Sequence, residues 1–199
     1  MYQFIESIKL QDGFFYRLEL HQQRIDHIFA TFFPRMEAIN LSSVLENQTI
    51  SSNGLFKTRL VFDSKINTLE IIPYKLPDIN SLSLVKTSLE TTFYKSADRN
   101  EINKAYSQKG NCDDVLLVKE GLITDTSYCN VAFQHGKNWI TPKTPLIPGT
   151  QRKMLIDKKM IIPDDIPLSQ IKNFQSICLF NAMIEFGEII LPIDKIKKA

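Results

Sequence analysis

The sequence is poor in the residues that carry most recognisable catalytic chemistry. Its 199 residues include three histidines (His21, His27, His135) and three cysteines (Cys112, Cys129, Cys178). No combination of them has the spacing of a zinc site, so no metal is expected. The cysteines are scattered and odd in number, and do not read as a disulfide framework. There is no Ser-His-Asp signature and no glycine-rich nucleotide loop; only seven glycines are present. No apolar run is long enough to span a bilayer, and Met1-Tyr2-Gln3-Phe4-Ile5-Glu6 lacks the basic segment and apolar core of a signal peptide. A net charge of +2 leaves no footprint for nucleic acid or an anionic membrane. The cytoplasm is the expected compartment. With so much catalytic vocabulary missing, cofactor-borne chemistry gains weight.

What is present is ordinary in bulk and organised by punctuation. With 43% hydrophobic and 23% charged residues, the chain can bury one large core or two smaller ones that share an interface. Gln11-Asp12-Gly13, Glu120-Gly121 and His135-Gly136-Lys137 each separate two runs of strand character, so each reads as a hairpin turn. Phe4 to Leu10 and Phe14 to Leu18 form the first pair. Leu20 to Phe33 carries apolar residues at helical spacing, with Ile25, Ile28, Phe29 and Phe32 on one face. Leu55 to Phe62 and Thr68 to Tyr74 read as strands, and Ser81 to Ser88 as an extended run after a connector. Further on come a short helix over Asp98 to Gln108 and strands at Val115–Val118, Leu122–Thr124, Asn130–Gln134 and Asn138–Thr141. A helix opens at Thr150, and strands follow at Ser176–Phe180 and Glu188–Pro192. The expected fold is α+β in two halves with antiparallel sheets. A smaller N-terminal α/β domain covers 1–85 and a C-terminal α/β domain covers 86–199.

A few residues stand in an order that chemistry can use. Lys95 follows the aromatic pair Phe93-Tyr94. As one of eighteen lysines it would ordinarily be solvated; desolvated at a pocket floor, its amine could form a Schiff base. Asp125 closes a short strand, where aspartate most often serves a turn or cap. Beside a pyridine nitrogen, its carboxylate would keep that nitrogen protonated. Asn130 could hydrogen-bond neighbouring groups. Pro148-Gly149-Thr150-Gln151-Arg152 opens a helix, and a glycine-led start lets amide N–H groups approach a phosphate, although many such starts bind nothing. Arg24, on the polar side of the first helix, could make a bidentate phosphate contact or sit in solvent. Arg59, inside Lys57-Thr58-Arg59-Leu60-Val61, could hold a substrate carboxylate or face water. A lysine, a carboxylate and such a helix start are what an enzyme needs to hold pyridoxal 5′-phosphate.

Together these motifs resemble those of the class IV aminotransferases, the group that includes branched-chain aminotransferase, D-amino-acid aminotransferase and aminodeoxychorismate lyase. Ile5-Glu6-Ser7-Ile8-Lys9-Leu10-Gln11-Asp12-Gly13 is similar to the family's opening strand and turn. Leu20-His21-Gln22-Gln23-Arg24-Ile25 is similar to its His-x-x-Arg-Leu helix, whose arginine binds the cofactor phosphate. Lys95 with Arg99 fits the Lys-x-x-x-Arg of the Schiff-base lysine. Gly121 to Asn130 fits the Gly-x-x-Thr-Glu-x-x-x-x-Asn strand pair, and Gly149 to Arg152 the phosphate-binding helix start. The resemblance implies a two-domain D-amino-acid aminotransferase-like fold, with the cofactor at the domain interface, and a homodimer. It implies Lys95 as the residue that links to the cofactor and moves protons, with cofactor contacts from Arg24, Asp125, Asn130, Gly149, Thr150, Gln151 and Asn181. The chain departs from the family at Asp125, where glutamate is usual. It is also shorter than the usual member, so a piece that helps cover the pocket in longer relatives is expected to be lacking.

Phe180-Asn181-Ala182-Met183 directs the choice of reaction. Branched-chain-type aminotransferases tend to carry Gly-Thr-Ala near this point, and the lyases Asn-Ala-Leu or Asn-Ala-Met. The plainer reading is an asparagine that closes a strand. The expected activity is that of a pyridoxal-phosphate-dependent lyase that converts 4-amino-4-deoxychorismate to 4-aminobenzoate and pyruvate on the folate route. Arg59, Ala182 and Met183 would then meet the substrate. One alternative is a class IV aminotransferase acting on a branched-chain or D-amino acid with a 2-oxo acid acceptor. The other is a non-catalytic binding protein on the same fold. The expected partners are a small amino substrate and a second copy of the chain.

Overall fold

A computed structural model describes residues 2–46, 48 and 53–198. They form two compact units, Met1–Leu76 with Phe93–Asp98, and Pro77–Thr92 with Arg99–Ala199. The sequence suggests one break between 85 and 86; the units instead exchange segments, and backbone hydrogen bonds show why.

In the first unit, strands β1 (Phe4–Gln11) and β2 (Phe14–Phe15) flank a turn at Asp12 and Gly13. Both turn residues have positive φ, 50° and 84°, as a type I′ hairpin requires. β2 stops well short of Leu18. Arg17 takes left-handed backbone at φ 55°, and helix α1 (Leu18–Phe32) begins there, ahead of the start its apolar spacing suggests. A short helix α2 (Leu41–Glu46), without counterpart in the sequence reading, precedes β3 (Leu55–Phe62) and β4 (Ile66–Pro73). The sheet runs β2-β1-β3-β4 and is antiparallel throughout, with Phe4 opposite Phe62 and Ser7 opposite Arg59. Side chains alternate across a strand, so Phe4, Ile8, Leu60 and Phe62 share one face. They pack there against Ile25, Ile28 and Phe29 of α1 and Leu41 and Leu45 of α2. Each such fully buried side chain stabilises the fold by about 1.5–3 kcal/mol.

The segment around Lys95 belongs to this sheet. Ile5 N–H donates to the Lys95 carbonyl and Ala97 N–H to the Gln3 carbonyl, each at 2.8 Å, and Ser96 bridges Phe4 antiparallel. Phe93 stacks on His27 at 4.0 Å between ring centroids. Tyr94 meets Phe4 and Phe32 edge-on.

The second unit contains β5 (Leu82–Lys86), helix α3 (Asn100–Tyr106), β6 (Asp114–Lys119), β7 (Leu122–Thr126), β8 (Asn130–His135) and β9 (Asn138–Pro142). Helix α4 (Thr150–Asp157), β10 (Ile162–Asp164), β11 (Ser176–Phe180), β12 (Ile189–Pro192) and β13 (Ile196–Lys198) complete it. One sheet runs β10-β9-β8-β11-β12 and the other β13-β5-β6-β7. The antiparallel expectation holds for β6–β7, β8–β9, β8–β11 and β11–β12. It fails for β5–β6, β5–β13 and β9–β10, which are parallel. The long connection from β5 to β6, which includes α3, returns the chain to the same end of the sheet, and such a crossover leaves strands parallel. Hydrogen bonding to β6 draws β5 into this unit. Ala132, Leu155, Cys178 and Phe180 form a core of β8, β11 and α4, which fixes α4 relative to β8, the strand that carries Asn130.

Candidate active site

In the first unit, Lys95 lies opposite Ile5. The register therefore puts it on the sheet face of Ile5, Ser7 and Lys9 on β1 and of Lys57, Arg59 and Val61 on β3. This is the face away from α1. Lys95 itself is half-buried. Lys9 is buried, with Nζ 5.0 Å from the centre of the Tyr16 ring. Arg59 is not free in water: its Nη1 donates to Glu70 Oε2 at 3.3 Å, and both side chains are partly exposed.

Arg24 stands on the other face of that sheet, and it does not sit in solvent. Its Nε donates to Glu6 Oε1 at 2.6 Å and its Nη2 to Glu6 Oε2 at 2.7 Å, a two-point pairing of guanidinium and carboxylate. His21 Nδ1 contacts Glu6 Oε2 as well. Burial pushes the Glu6 carboxyl up, but the charges and hydrogen bonds of Arg24 and His21 outweigh it and hold the group down at about 2. Burial also lowers the pKa of His21 against the pull of Glu6. A neutral imidazole that donates Nδ1–H to the carboxylate satisfies both tendencies, since a carboxylate can only accept. The guanidinium keeps Nη1 and one Nη2 hydrogen beyond those given to Glu6.

In the second unit, Asp125 on β7 is buried. Its Oδ1 accepts from Asn130 Nδ2 at 2.9 Å and its Oδ2 from the Ile147 amide at 3.1 Å. Burial pushes its carboxyl up to about 6, although these hydrogen bonds and the charge of Arg152 oppose the shift. Asn130 also donates to the Ile147 carbonyl at 2.8 Å and accepts from the Gly149 amide at 3.1 Å. Gly149 caps α4, which has no side-chain cap and no acidic residue in its first turn. Such an N-terminus carries positive partial charge. Thr150 and Gln151 are both buried.

The side chains around this helix start are committed elsewhere. Gln151 Nε2 reaches the Asn181 carbonyl at 2.7 Å, the Ile184 carbonyl at 3.1 Å and Glu185 Oε2 at 3.2 Å. Arg152 donates to Thr141 Oγ1 and to the Pro142 carbonyl, tying α4 to β9. Asn181 Oδ1 accepts from the Met183 and Ile184 amides, and its Nδ2 donates to the Tyr128 carbonyl and Cys129 Sγ. Ala182 is half-buried and Met183 buried in the turn so formed. Burial, reinforced by Asp114, pushes the Cys129 thiol far up, and burial pushes Cys178 up to about 12, so neither is a nucleophile at neutral pH.

Residues 3–191 match the family Amino-transferase class IV. The chain belongs to the class IV aminotransferase family. It is 30% identical over 185 residues to an uncharacterised protein of Haemophilus influenzae, covering 92% of this chain and 98% of that one. A provisionally named aminodeoxychorismate lyase of Schizosaccharomyces pombe is 33% identical over 143 residues, 65% of this chain and 60% of the other. The crystal structure of a provisionally named 4-amino-4-deoxychorismate lyase from Haemophilus somnus superposes with a TM-score of 0.86 at 27% identity, covering 92% of this chain and 97% of that one. As a class IV member, the protein is a pyridoxal-phosphate-dependent enzyme, a lyase or an aminotransferase.

The second unit of this class IV enzyme fits that cofactor in charge at two points. The buried Asp125 carboxylate complements a protonated ring nitrogen, and the uncapped start of α4 complements a phosphate. The first unit offers the half-buried Lys95 amine. Arg24 fits in part, through the N–H groups it does not give to Glu6. Sequence reasoning missed Glu6 and His21. Their signal is a carboxylate between Phe4 and Ile8 on the face that should be apolar, and a histidine one helical turn before Arg24.

Proposed function

We propose that this class IV enzyme is a lyase that converts 4-amino-4-deoxychorismate to 4-aminobenzoate and pyruvate. The observation that carries this reading is the likeness to the Haemophilus somnus structure over nearly all of both chains. The Asn181-Ala182-Met183 turn supports it. When bound, pyridoxal phosphate supplies an aldehyde carbon for amines and a ring that accepts the electron pair released at the substrate carbon bearing the nitrogen. Lys95 would hold the cofactor through its amine, and that amine, once free, would take the proton from that carbon. Asp125 keeps the ring nitrogen protonated. The Thr150 and Gln151 amides at the start of α4 would hold the phosphate, for which Arg24 has the N–H groups that it does not give to Glu6. Asn181 shapes the turn that presents Ala182 and Met183 to the substrate, and Arg59 takes a substrate carboxylate. The enzyme works as a cytoplasmic homodimer on the folate route.

The test supplies aminodeoxychorismate and follows both products. Equal amounts of 4-aminobenzoate and pyruvate are expected. If neither forms while an amino acid and 2-oxoglutarate exchange amino groups, the aminotransferase reading replaces the lyase. A protein that stays colourless with pyridoxal phosphate would favour the non-catalytic alternative.

A further inference from the structure

We infer that Asn130 is a positioning residue that sets Asp125 and the start of α4 in register, so that the second unit recognises a ring nitrogen and a phosphate carried on one ligand. The inference rests on the roles proposed above for Asp125 and the start of α4. A primary amide has two N–H donors and one carbonyl acceptor, and Asn130 has used both donors, on Asp125 Oδ1 and on the Ile147 carbonyl. Its carbonyl accepts the Gly149 amide. The Ile147 amide closes the circuit by donating to Asp125 Oδ2. No donor of Asn130 remains for a cofactor, so a direct binding role gives way to one exerted through its neighbours.

Two further features fit this role. Gly149 has φ −66°, which any residue can adopt, so backbone freedom does not explain the glycine. Space does: a Cβ there would lie 2.3 Å from Asn130 Oδ1. The choice of asparagine follows from donor count. An aspartate at 130 would still accept from Gly149, but it would lose both donors and set a like charge against Asp125.

The experiment titrates the protein with pyridoxal phosphate, and separately with inorganic phosphate as competitor, while recording the visible band of the bound cofactor. That band responds to charge at the ring. Asn130→Asp is expected to weaken pyridoxal phosphate about tenfold to a hundredfold and to move the band, while competition by inorganic phosphate stays as in the wild type. Gly149→Ala, which pushes the Asn130 side chain away without altering its chemistry or that of Asp125, should move the band too and weaken inorganic phosphate as well. A folded Asn130→Asp protein with wild-type band and affinity overturns the inference. So does an equal loss of affinity for both ligands with an unmoved band, the mark of a merely structural residue. Should Asn130→Asp fail to fold, Gly149→Ala decides on the same band. A wild type that binds no pyridoxal phosphate sinks the proposed function itself, an outcome distinct from a band that forms and ignores both substitutions.

Discussion

A carboxylate with no solvent exposure, such as Glu6, is costly unless it is paired and hydrogen-bonded, and Arg24 with His21 meets both needs. Held at about 2 against an ordinary 4.5, Glu6 contributes stability that is present above about 4.5 and lost as pH falls toward 2. Urea unfolding across that window should show a loss on the order of 3 kcal/mol that Glu6→Gln does not share. At neutral pH, Glu6→Gln is expected to be less stable than the wild type by about 3 kcal/mol, because it leaves the Arg24 charge uncompensated. Asp125 has the opposite sign. Burial raises it from 3.8 to about 6, so in the cofactor-free protein its charge opposes folding at neutral pH. Relative to Asp125→Asn, the wild type should lose stability as pH rises from about 4 to about 6, by on the order of 3 kcal/mol, and the difference should level off above that. The same substitution should weaken cofactor binding. Site residues commonly trade stability for function in this way.

Among the elements, those whose local chemistry is self-sufficient are the ones legible in sequence. Asp12-Gly13 and Glu120-Gly121 both form turns with two residues at positive φ, and α4 begins where Pro148-Gly149 places it. Glu120 is a poor resident of such a turn, since left-handed backbone costs most side chains about 1 kcal/mol. Glu120→Asn should therefore raise the urea midpoint, by about 0.5–1 kcal/mol in stability, with the slope unchanged. Elements that depend on distant partners were not legible. The run at β5 reads as extended, but nothing in it specifies a parallel neighbour in β6 or β13. Likewise, the apolar spacing of α1 locates its buried face but not its start, which the backbone of Arg17 determines.

For the whole molecule, the order of Arg24, Lys95, Asp125 and Gly149 along the chain is enough to place the family, but not to show how each residue is held. Lys95 reads as part of the C-terminal half by position; its hydrogen bonds put it at the edge of the first unit's sheet, beside Ile5. Arg24 reads as a phosphate contact or a solvated cation, and the fold pairs it with a glutamate eighteen residues away. Pairings of that separation come from sheet register and helix packing, which sequence periodicity does not encode. Asn130 is the converse case: the family resemblance singles it out, and only the geometry shows that its amide serves Asp125 and Gly149. The central claim, a cofactor carried by Lys95, is tested most directly by treating the protein with pyridoxal phosphate, reducing it with borohydride and mapping the modified peptide by mass spectrometry. The expected result is loss of the visible band and a pyridoxyl group on the peptide containing Lys95, absent from Lys95→Ala. A protein without a band, or a label on another lysine such as Lys9, would contradict it.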